Sequence, residues 1–390
     1  MTEGKMKKLI SDYLRKRRER NIKNQIESLI SDETFIKTVN PVLKNARTVA
    51  FVTSHIAAHA GGMTSILRLG TVLEEEGFQV SYIALGKQSQ DEIEQNAKID
   101  LQYYKGTVKT ADHAFAEHYD VVIATDWKSV YSARKMNGYK MYFVQDYEPY
   151  FCEDGERFIL AKKTYELGLH MVSLGQWNKS EIERNTDDAV RIDYIDFPYE
   201  ASEYHMVRRN YEAYPERKTF RLAVYLKQAG RRLPTVIPIM LSRTKELFKE
   251  KGMDLQIRFF GGIEGIDAGL GENLGKLSKA ELMTLYGESD FGMVSSMTNI
   301  SLVPYEMLAT GLPLIEFQDG TFPFFFEKPS AILTSFSAQD LFEKMYQAIH
   351  RPEILREMNE NARECMKGLS WKNSGHQFAE IIRKVCRDDS

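Results

Sequence analysis

The chain has 390 residues, with 52 Lys and Arg against 55 Asp and Glu, a formal net charge of −3. This length predicts two domains rather than one hydrophobic core, and the balanced charge argues against a general nucleic-acid-binding protein. No apolar run approaches the roughly 20 residues that cross a bilayer, and the N-terminus lacks the apolar stretch of a signal peptide. The three cysteines, Cys152, Cys365 and Cys386, have neither metal-ligand nor disulfide spacing, so we expect a cytoplasmic protein.

Residues 1–45 are predicted to form a basic helical extension. Lysine and arginine are frequent between Lys5 and Lys23, and Met6, Leu9, Ile10, Tyr13 and Leu14 recur among them at helical spacing. Such a helix can lie on an anionic membrane surface, or it can be a solvated extension that packs on a domain edge. Both interpretations stay open.

From residue 46 the pattern alternates between strands and helices, which is typical of a doubly wound parallel sheet. Thr48–Thr53 is a continuous apolar and β-branched run that suits a strand buried on both faces. A helix over 63–76 stops at Gly77. Further strands are predicted over residues 79–85, 120–125, 140–144, 171–174 and 190–194. Residues 46–205 are the predicted first domain.

Polar residues follow several of these strands. Gly61 and Gly62 suit a tight strand-to-helix turn, although they lack a complete dinucleotide-binding pattern. Asp126 can hold a ligand hydroxyl or simply cap the next helix. The triplet Asp146–Tyr147–Glu148 offers two carboxylates and a phenol, and it also imitates a D-x-D metal motif, which we discount. His55 and His59 are expected to pack rather than to catalyse.

Residues 200–218 are polar and predict a linker to a second domain over residues 219–370. Its predicted strands are 221–226, 255–260 and 291–294, with helices over 235–251 and 279–286. The last helices are predicted over 338–350, 352–366 and 371–385.

A basic loop follows the first strand of the second half. Lys227, Arg231 and Arg232 lie within six residues there, together with Gly230. Arginine offers bidentate geometry and lysine a compact charge, which is what a diphosphate needs in the absence of a metal. A solvated basic turn is the alternative.

The stretch from Ser295 to Phe317 is the most informative of the chain. Small polar residues follow an apolar strand, and then come a short helix with Glu306, a turn at Gly311 and a second apolar strand. Ligands of parallel sheets bind where loops leave the carboxyl ends of strands, and a helix that starts there favours an anion. Glu306 could accept hydrogen bonds from two ribose hydroxyls, so the stretch predicts a nucleotide-diphosphate site.

The segment Pro304-Tyr-Glu306-Met-Leu-Ala-Thr-Gly311-Leu-Pro313 resembles the P-x-E-x-x-A-x-G-x-P signature of retaining nucleotide-sugar glycosyltransferases. Residues 142–149 and the early glycine pair are similar to rhamnosyltransferases that use dTDP-L-rhamnose. The resemblance implies the GT-B fold, an α/β architecture of two Rossmann-like doubly wound domains that face each other across a cleft. It also implies that a terminal helix, residues 371–390, crosses back to the first domain. The chain departs from the pattern at Thr298, where many members have a first glutamate.

The resemblance also implies roles for individual residues. Asp126, Lys227 and Arg231 would serve catalysis, and Asp146, Tyr147 and Glu148 would bind the acceptor. The donor would be bound by Gly61, Gly62, Arg232, Gly261, Leu277, Thr298, Asn299, Ser301 and Glu306. Leu277 could stack on the nucleobase. No metal and no cofactor beyond the donor is implied. The resemblance also implies no strong protein base, because the leaving phosphate oxygen itself can accept the acceptor's proton.

The resulting hypothesis is a metal-independent retaining transferase that moves L-rhamnose from dTDP-L-rhamnose to an oligosaccharide or lipid-linked acceptor in polysaccharide synthesis. It would act in the cytoplasm, in peripheral contact with the membrane through residues 5–23. One alternative is a GT-B nucleotide-sugar epimerase. The other is a non-catalytic partner subunit, which the threonine at position 298 would suit.

Overall fold

The computed structural model describes residues 12–388, except for positions 15, 18, 21, 25, 28, 32, 113 and 188. The chain forms two parallel β-sheets, one of seven strands and one of six, with helices on their faces. This confirms the predicted α/β architecture of two Rossmann-like halves.

The first sheet has the order β3-β2-β1-β4-β5-β6-β7. Its strands are β1 (Thr48–Thr53), β2 (Gln79–Ala84), β3 (Thr107–Thr110), β4 (His118–Ala124), β5 (Asn137–Val144), β6 (His170–Leu174) and β7 (Ile192–Ile195). The order reverses between β1 and β4, which pair from Val49↔Val121 to Val52↔Ala124. A crevice opens at the carboxyl ends of strands on either side of such a reversal.

The second sheet has the order β10-β9-β8-β11-β12-β13. Its strands are β8 (Thr219–Tyr225), β9 (Asp254–Phe260), β10 (Glu272–Asn273), β11 (Phe291–Met293), β12 (Leu314–Phe317) and β13 (Ile332–Thr334). Here the reversal falls between β8 and β11, which pair from Phe291↔Leu222 to Met293↔Val224. Each half therefore has its own crevice.

A helix follows most of the strands. The helices are α1 (Gly61–Glu75), α2 (Gln90–Asp100), α3 (Trp127–Ala133), α4 (Glu156–Lys163), α5 (Gln176–Asn185), α6 (Val236–Glu250), α7 (Lys279–Glu288), α8 (Leu302–Ala309), α9 (Phe322–Phe325), α10 (Ala338–His350), α11 (Pro352–Cys365) and α12 (Trp371–Asp388). Within the described residues, no helix combines the length and the apolar character that crossing a bilayer requires.

Most predicted elements match the structure within a few residues. The predictions missed β3, β10 and β13, which have two to four residues each, because such short strands carry too little apolar pattern to stand out. Within the predicted linker, Tyr211 and Tyr214 are buried, and the Tyr211 hydroxyl donates to the carbonyl of Gly311 over 2.8 Å. The domain boundaries stay predictions.

The last helix packs on the first half, and so do Ile26 and Leu29 near the other end of the described chain. The α12 residue Phe378 lies with its ring centroid 6.3 Å from that of Phe51 and 5.8 Å from that of Phe143. Gly375 allows α12 to approach α1, because a Cβ atom there would lie 2.5 Å from Val72. At the other end, the described residues between 12 and 29 are helical, whereas the predicted basic positions from 5 to 11, with 15 and 18, lie outside the described residues.

Candidate functional site

A cavity of about 530 Å³ lies between the two halves, where the carboxyl ends of the strands of both sheets meet. Its walls come from the loops after β1, β4, β5, β8 and β9 and from the start of α8. The predicted site residues that line it are Gly61, Gly62, Asp126, Asp146, Glu148, Lys227, Arg231, Arg232, Gly261, Leu277, Asn299, Ser301 and Glu306. Thr298 and Tyr147 are absent from this lining.

The basic loop after β8 contributes three cations with different surroundings. Arg232 is buried and donates to the carbonyl of Ser295 over 2.7 Å, so it ties this loop to the loop after β11. Lys227 is half-buried, with its ammonium 5.5 Å from the centre of the Tyr225 ring. The Arg232 guanidinium is therefore already engaged in a hydrogen bond within the protein. Lys227 and Arg231 are better placed to bind an anion.

Arg231 faces the first half of the molecule. Its guanidinium carbon lies 3.8 Å from the centre of the Phe151 ring, and its Nε lies 3.8 Å from the carboxylate of Asp146. Burial lowers the pKa of Arg231, and the charge of Asp146 acts in the opposite direction. The buried Nε has no hydrogen-bond partner among the described residues, which leaves a desolvated donor at the cavity.

The start of α8 points into the same cavity. Ser301 is the N-cap residue, but its side chain makes no capping hydrogen bond. The Ser301 hydroxyl and the Asn299 side-chain oxygen are both buried without a partner among the described residues. Buried polar atoms normally find partners, so these atoms, together with the helix N-terminus, are suited to a polar ligand.

Glu306 lies one turn into α8 and also lines the cavity. The Tyr286 hydroxyl donates to its carboxylate over 3.3 Å. Burial raises the pKa of Glu306 to about 7, although hydrogen bonds from Tyr286 and Tyr204 oppose the shift. The carboxyl can accept hydrogen bonds from a diol when it is ionised and can donate one when it is protonated.

Asp146 joins the two halves of the protein. Its carboxylate accepts hydrogen bonds from the Thr298 hydroxyl over 2.8 Å and from the Asn299 backbone N–H over 3.0 Å. The Asn299 side chain in turn donates to the carbonyls of Gln145 and Leu174. Burial raises the pKa of Asp146, while Arg231 lowers it. Thr298 therefore contacts the first half rather than the cavity, unlike the predicted donor contact.

Asp126 and Glu148 are held by backbone groups. Asp126 caps α3 by accepting from the N–H groups of Lys128 and Ser129, and it also accepts from Ser54. Glu148 accepts from the Trp127 N–H over 2.7 Å. Burial raises the pKa of Glu148 well above its usual range, and the nearby Asp126 adds to the shift. The capping alternative for Asp126 is thus present in the structure, although the residue also borders the cavity.

Tyr147 turns away from the cavity. Its ring stacks on Tyr165 with centroids 5.3 Å apart and meets Tyr150 edge-on at 4.7 Å. This placement differs from the acceptor contact that the sequence suggested, because the aromatic cluster behind β5 draws the ring inward. The acceptor role of Tyr147 thus lacks geometric support, whereas Asp146 and Glu148 remain at the cavity.

The glycines at the cavity differ in what they require. At Gly261 the backbone has a φ of 109°, and a Cβ atom would lie 2.8 Å from the carbonyl oxygen of Leu226. Only glycine fits such a position. Gly62 faces the Gln145 side chain, whereas Gly61 has open space around it. His59 adopts an unusual φ of 58° just before this pair, and it lines the cavity with His55.

Several cavity residues were not predicted from the sequence. They include Gln145, Phe151, Tyr225 and Lys276. Gln145 and Lys276 are neighbours in sequence of the predicted residues Asp146 and Leu277, and this adjacency, after strands β5 and β10, was the available signal. Phe151 has no such signal, because only the packing of Arg231 on its ring brings it to the cavity. In the part of the chain that is described, no cluster of His, Cys, Asp and Glu has the arrangement of a metal site.

No protein-family model matches the chain. Among curated proteins, the O-antigen biosynthesis protein RfbC of Myxococcus xanthus is 24% identical over 272 residues, which make up 65% of this chain and 20% of that protein. The chain thus spans about a fifth of the length of this relative.

Solved structures resemble the chain over most of its length. Sucrose-phosphate synthase from Thermosynechococcus elongatus superposes with a TM-score of 0.65 at 13% identity, covering 88% of this chain and 100% of that one. Anabaena HepE in complex with UDP-glucose gives a TM-score of 0.65 at 12% identity, covering 86% and 99%. At such low identity the likeness concerns the fold, and it shows that the chain has the GT-B fold.

Proposed function

We propose that the chain is a retaining glycosyltransferase of polysaccharide biosynthesis that takes its sugar from a nucleotide diphosphate. The observation that carries this proposal is that Lys227, Arg231 and Glu306 line one cavity between the two sheets. Two cations can bind the diphosphate, and a carboxylate one turn into α8 can bind a ribose diol. The likeness to RfbC supports a role in polysaccharide synthesis.

We further propose L-rhamnose from dTDP-L-rhamnose as the donor, with an oligosaccharide or a lipid-linked saccharide as the acceptor. The similarity of residues 142–149 and of the early glycine pair to rhamnosyltransferases supports this choice.

The three cysteines are all free thiols, which is consistent with a reducing, cytoplasmic compartment.

The proposed reaction breaks the bond between the anomeric carbon and the diphosphate oxygen. The acceptor oxygen forms its bond to the same face of the sugar, and the leaving phosphate oxygen takes the acceptor's proton. Lys227 and Arg231 stabilise the negative charge that grows on the diphosphate, a contribution that is often several kcal/mol. The products are a glycoside of retained configuration and a nucleoside diphosphate.

The test uses thermal unfolding with dTDP-L-rhamnose, UDP-glucose and GDP-mannose, each with and without acceptor. A ligand at 100 times its dissociation constant stabilises the fold by about 2.7 kcal/mol, so the preferred donor will give the largest shift. Variant K227A should lose most of that shift, whereas R243A, which alters an exposed arginine on α6, should keep it.

Product analysis by NMR then distinguishes the rival functions. Transfer to an oligosaccharide with retained anomeric configuration supports the proposal. An altered sugar formed from donor alone would indicate an epimerase. No shift with any nucleotide would indicate a non-catalytic partner subunit and would contradict the proposed function.

A further inference from the structure

Residues 34–43, here called the strap, have the reverse of the usual polarity. The polar residues Thr34, Thr38 and Asn40 are buried or half-buried. Four apolar side chains of the strap face solvent: Phe35 is 49% exposed, Ile36 59%, Val39 90% and Val42 64%, whereas Leu43 at its end is buried. Single exposed apolar residues are ordinary, but four exposed apolar residues within eight positions are a local concentration of apolar surface that suits a partner.

The inward face of the strap is fixed by hydrogen bonds. Arg134 donates to the Thr34 carbonyl over 2.7 Å, to the Thr38 hydroxyl over 2.8 Å and also to the Ile36 carbonyl. The Thr38 N–H donates to the Leu167 carbonyl over 2.8 Å. Because these bonds hold the backbone, the apolar side chains cannot turn inward without breaking them.

Further along, Asn40 fixes the strap to the sheet. Its side-chain amide accepts from the Lys140 N–H over 2.6 Å and donates to the Lys140 carbonyl over 3.0 Å. Lys140 lies on β5 just before the first residue that pairs with β6. The strap therefore follows the amino-terminal ends of β5 and β6, whereas the cavity lies at the carboxyl ends. Whatever covers the strap would leave the cavity open.

The charge around the strap favours one kind of partner. Residues 1–47 contain 12 Lys and Arg against 6 Asp and Glu, although the whole chain has more acidic than basic residues. In the helix that precedes the strap, Lys16, Arg17, Arg20 and Lys23 are all exposed. An apolar edge beside a concentration of positive charge is the combination that binds the interface of an anionic bilayer.

We propose that the strap and the basic helix before it form a docking surface for an anionic lipid bilayer. The side chains of Ile36, Val39 and Val42 enter the boundary between headgroups and acyl chains, and the basic side chains contact the anionic headgroups. This proposal goes beyond the proposed function and does not depend on it, because the surface lies apart from the cavity.

The test measures co-sedimentation of the full chain with vesicles of phosphatidylcholine alone and with added phosphatidylglycerol. The wild type should bind the anionic vesicles, and high salt should weaken the binding. Variant V39D should reduce the partition coefficient about tenfold or more, since it replaces an inserted apolar group by a repelled charge. The matched control I239D changes a residue that is 67% exposed on α6, and it should bind like the wild type.

Thermal shifts with nucleotide, recorded for the same variants, separate this proposal from the proposed function, because V39D should keep any nucleotide response of the wild type. Failure of the wild type to bind anionic vesicles, or equal binding by V39D, would overturn the proposal. So would self-association in solution that V39D abolishes without any vesicle binding, since the surface would then be covered by a second copy.

Discussion

The hydroxyl of Thr298 donates a hydrogen bond to the carboxylate of Asp146 over 2.8 Å, and this bond joins the two halves of the protein at the edge of the cavity. Both residues are buried, at 4% and 9% exposure. At position 298 the glycosyltransferase signature that the chain resembles has a glutamate in many members. A glutamate here would meet the buried carboxylate of Asp146, so the threonine and the aspartate are complementary.

This contact makes position 298 sensitive to charge. Variant T298V removes the hydrogen bond and should lower the free energy of unfolding by about 1–3 kcal/mol, because the carboxylate loses a donor. Variant T298E adds a second buried carboxylate and should cost about 3 kcal/mol or more. Denaturant unfolding measures both.

The control for position 298 is T284E, which introduces the same charge at an exposed threonine on α7. Its effect should stay within about 0.5 kcal/mol. If T298E were as stable as T284E, the contact between Thr298 and Asp146 would have no importance for the fold.

Arg231 should contribute strongly to nucleotide binding. Its buried Nε has no hydrogen-bond partner among the described residues, although it lies 3.8 Å from the Asp146 carboxylate, and its guanidinium packs on the ring of Phe151. Variant R231A should therefore weaken binding of a nucleoside diphosphate about 10- to 100-fold, the value of one charge-assisted hydrogen bond. Variant R231K keeps the charge but loses the planar stacking. Its affinity for the nucleoside diphosphate should therefore lie between those of the wild type and R231A. Titration calorimetry measures the affinities, and unchanged affinity in R231A would refute this role.

The half-buried carboxyl of Glu306 predicts a pH dependence of stability. Its pKa rises from 4.5 to about 7 on folding, so the folded chain binds this proton more tightly than the unfolded chain does. The stabilisation is fully present below about pH 4.5 and is lost as the pH rises through about 7. Between pH 5 and pH 8, variant E306Q should therefore gain up to roughly 3 kcal/mol relative to the wild type.

Glu246 provides the comparison, because it is exposed on α6. Unfolding curves of E246Q should run parallel to those of the wild type over the same pH range. Parallel curves for E306Q as well would mean that Glu306 is ionised at neutral pH.

The loop after β9 depends on the absence of a side chain at Gly261. Variant G261A combines a left-handed φ of 109° with a contact of 2.8 Å to the Leu226 carbonyl, so it should destabilise the fold by about 2 kcal/mol or more. Gly265 also has a positive φ, 74°, but open space around it. Variant G265A should thus cost only about 1 kcal/mol. Equal losses in the two variants would show that the close approach at Gly261 is unimportant.

Local sequence predicted most of the architecture. Strands such as Thr48–Thr53 are buried on both faces, so their apolar runs stand out against the amphipathic helices between them. The glycine and proline pattern around Glu306 placed a helix and a turn correctly, because these residues restrict the backbone wherever they occur. Strands β3, β10 and β13 were not predicted, because two to four residues are too few to show an apolar strand pattern.

Sequence could predict which loops form the candidate site, but not which side chains of those loops reach the cavity. Sequence placed Arg231 and Arg232 in one basic loop, and both line the cavity, yet Arg232 is hydrogen-bonded to the Ser295 carbonyl whereas Arg231 lies beside Asp146. Adjacent residues in a tight turn point in different directions, and the composition of the turn does not reveal which guanidinium makes a hydrogen bond within the protein. Tyr147 was likewise assigned to the cavity, but it joined an aromatic cluster formed with Tyr165.

The sequence by itself thus determined two parallel α/β halves and the strand ends at which a ligand would bind, because the burial of strands and the geometry of turns are local properties. Only the tertiary structure decided that Thr298 donates a hydrogen bond to Asp146, a residue 152 positions away. It also decided that the apolar side of the strap faces outward, since Arg134 and Lys140 hold the polar side. Contacts between distant segments depend on how whole elements pack, and no local pattern encodes them.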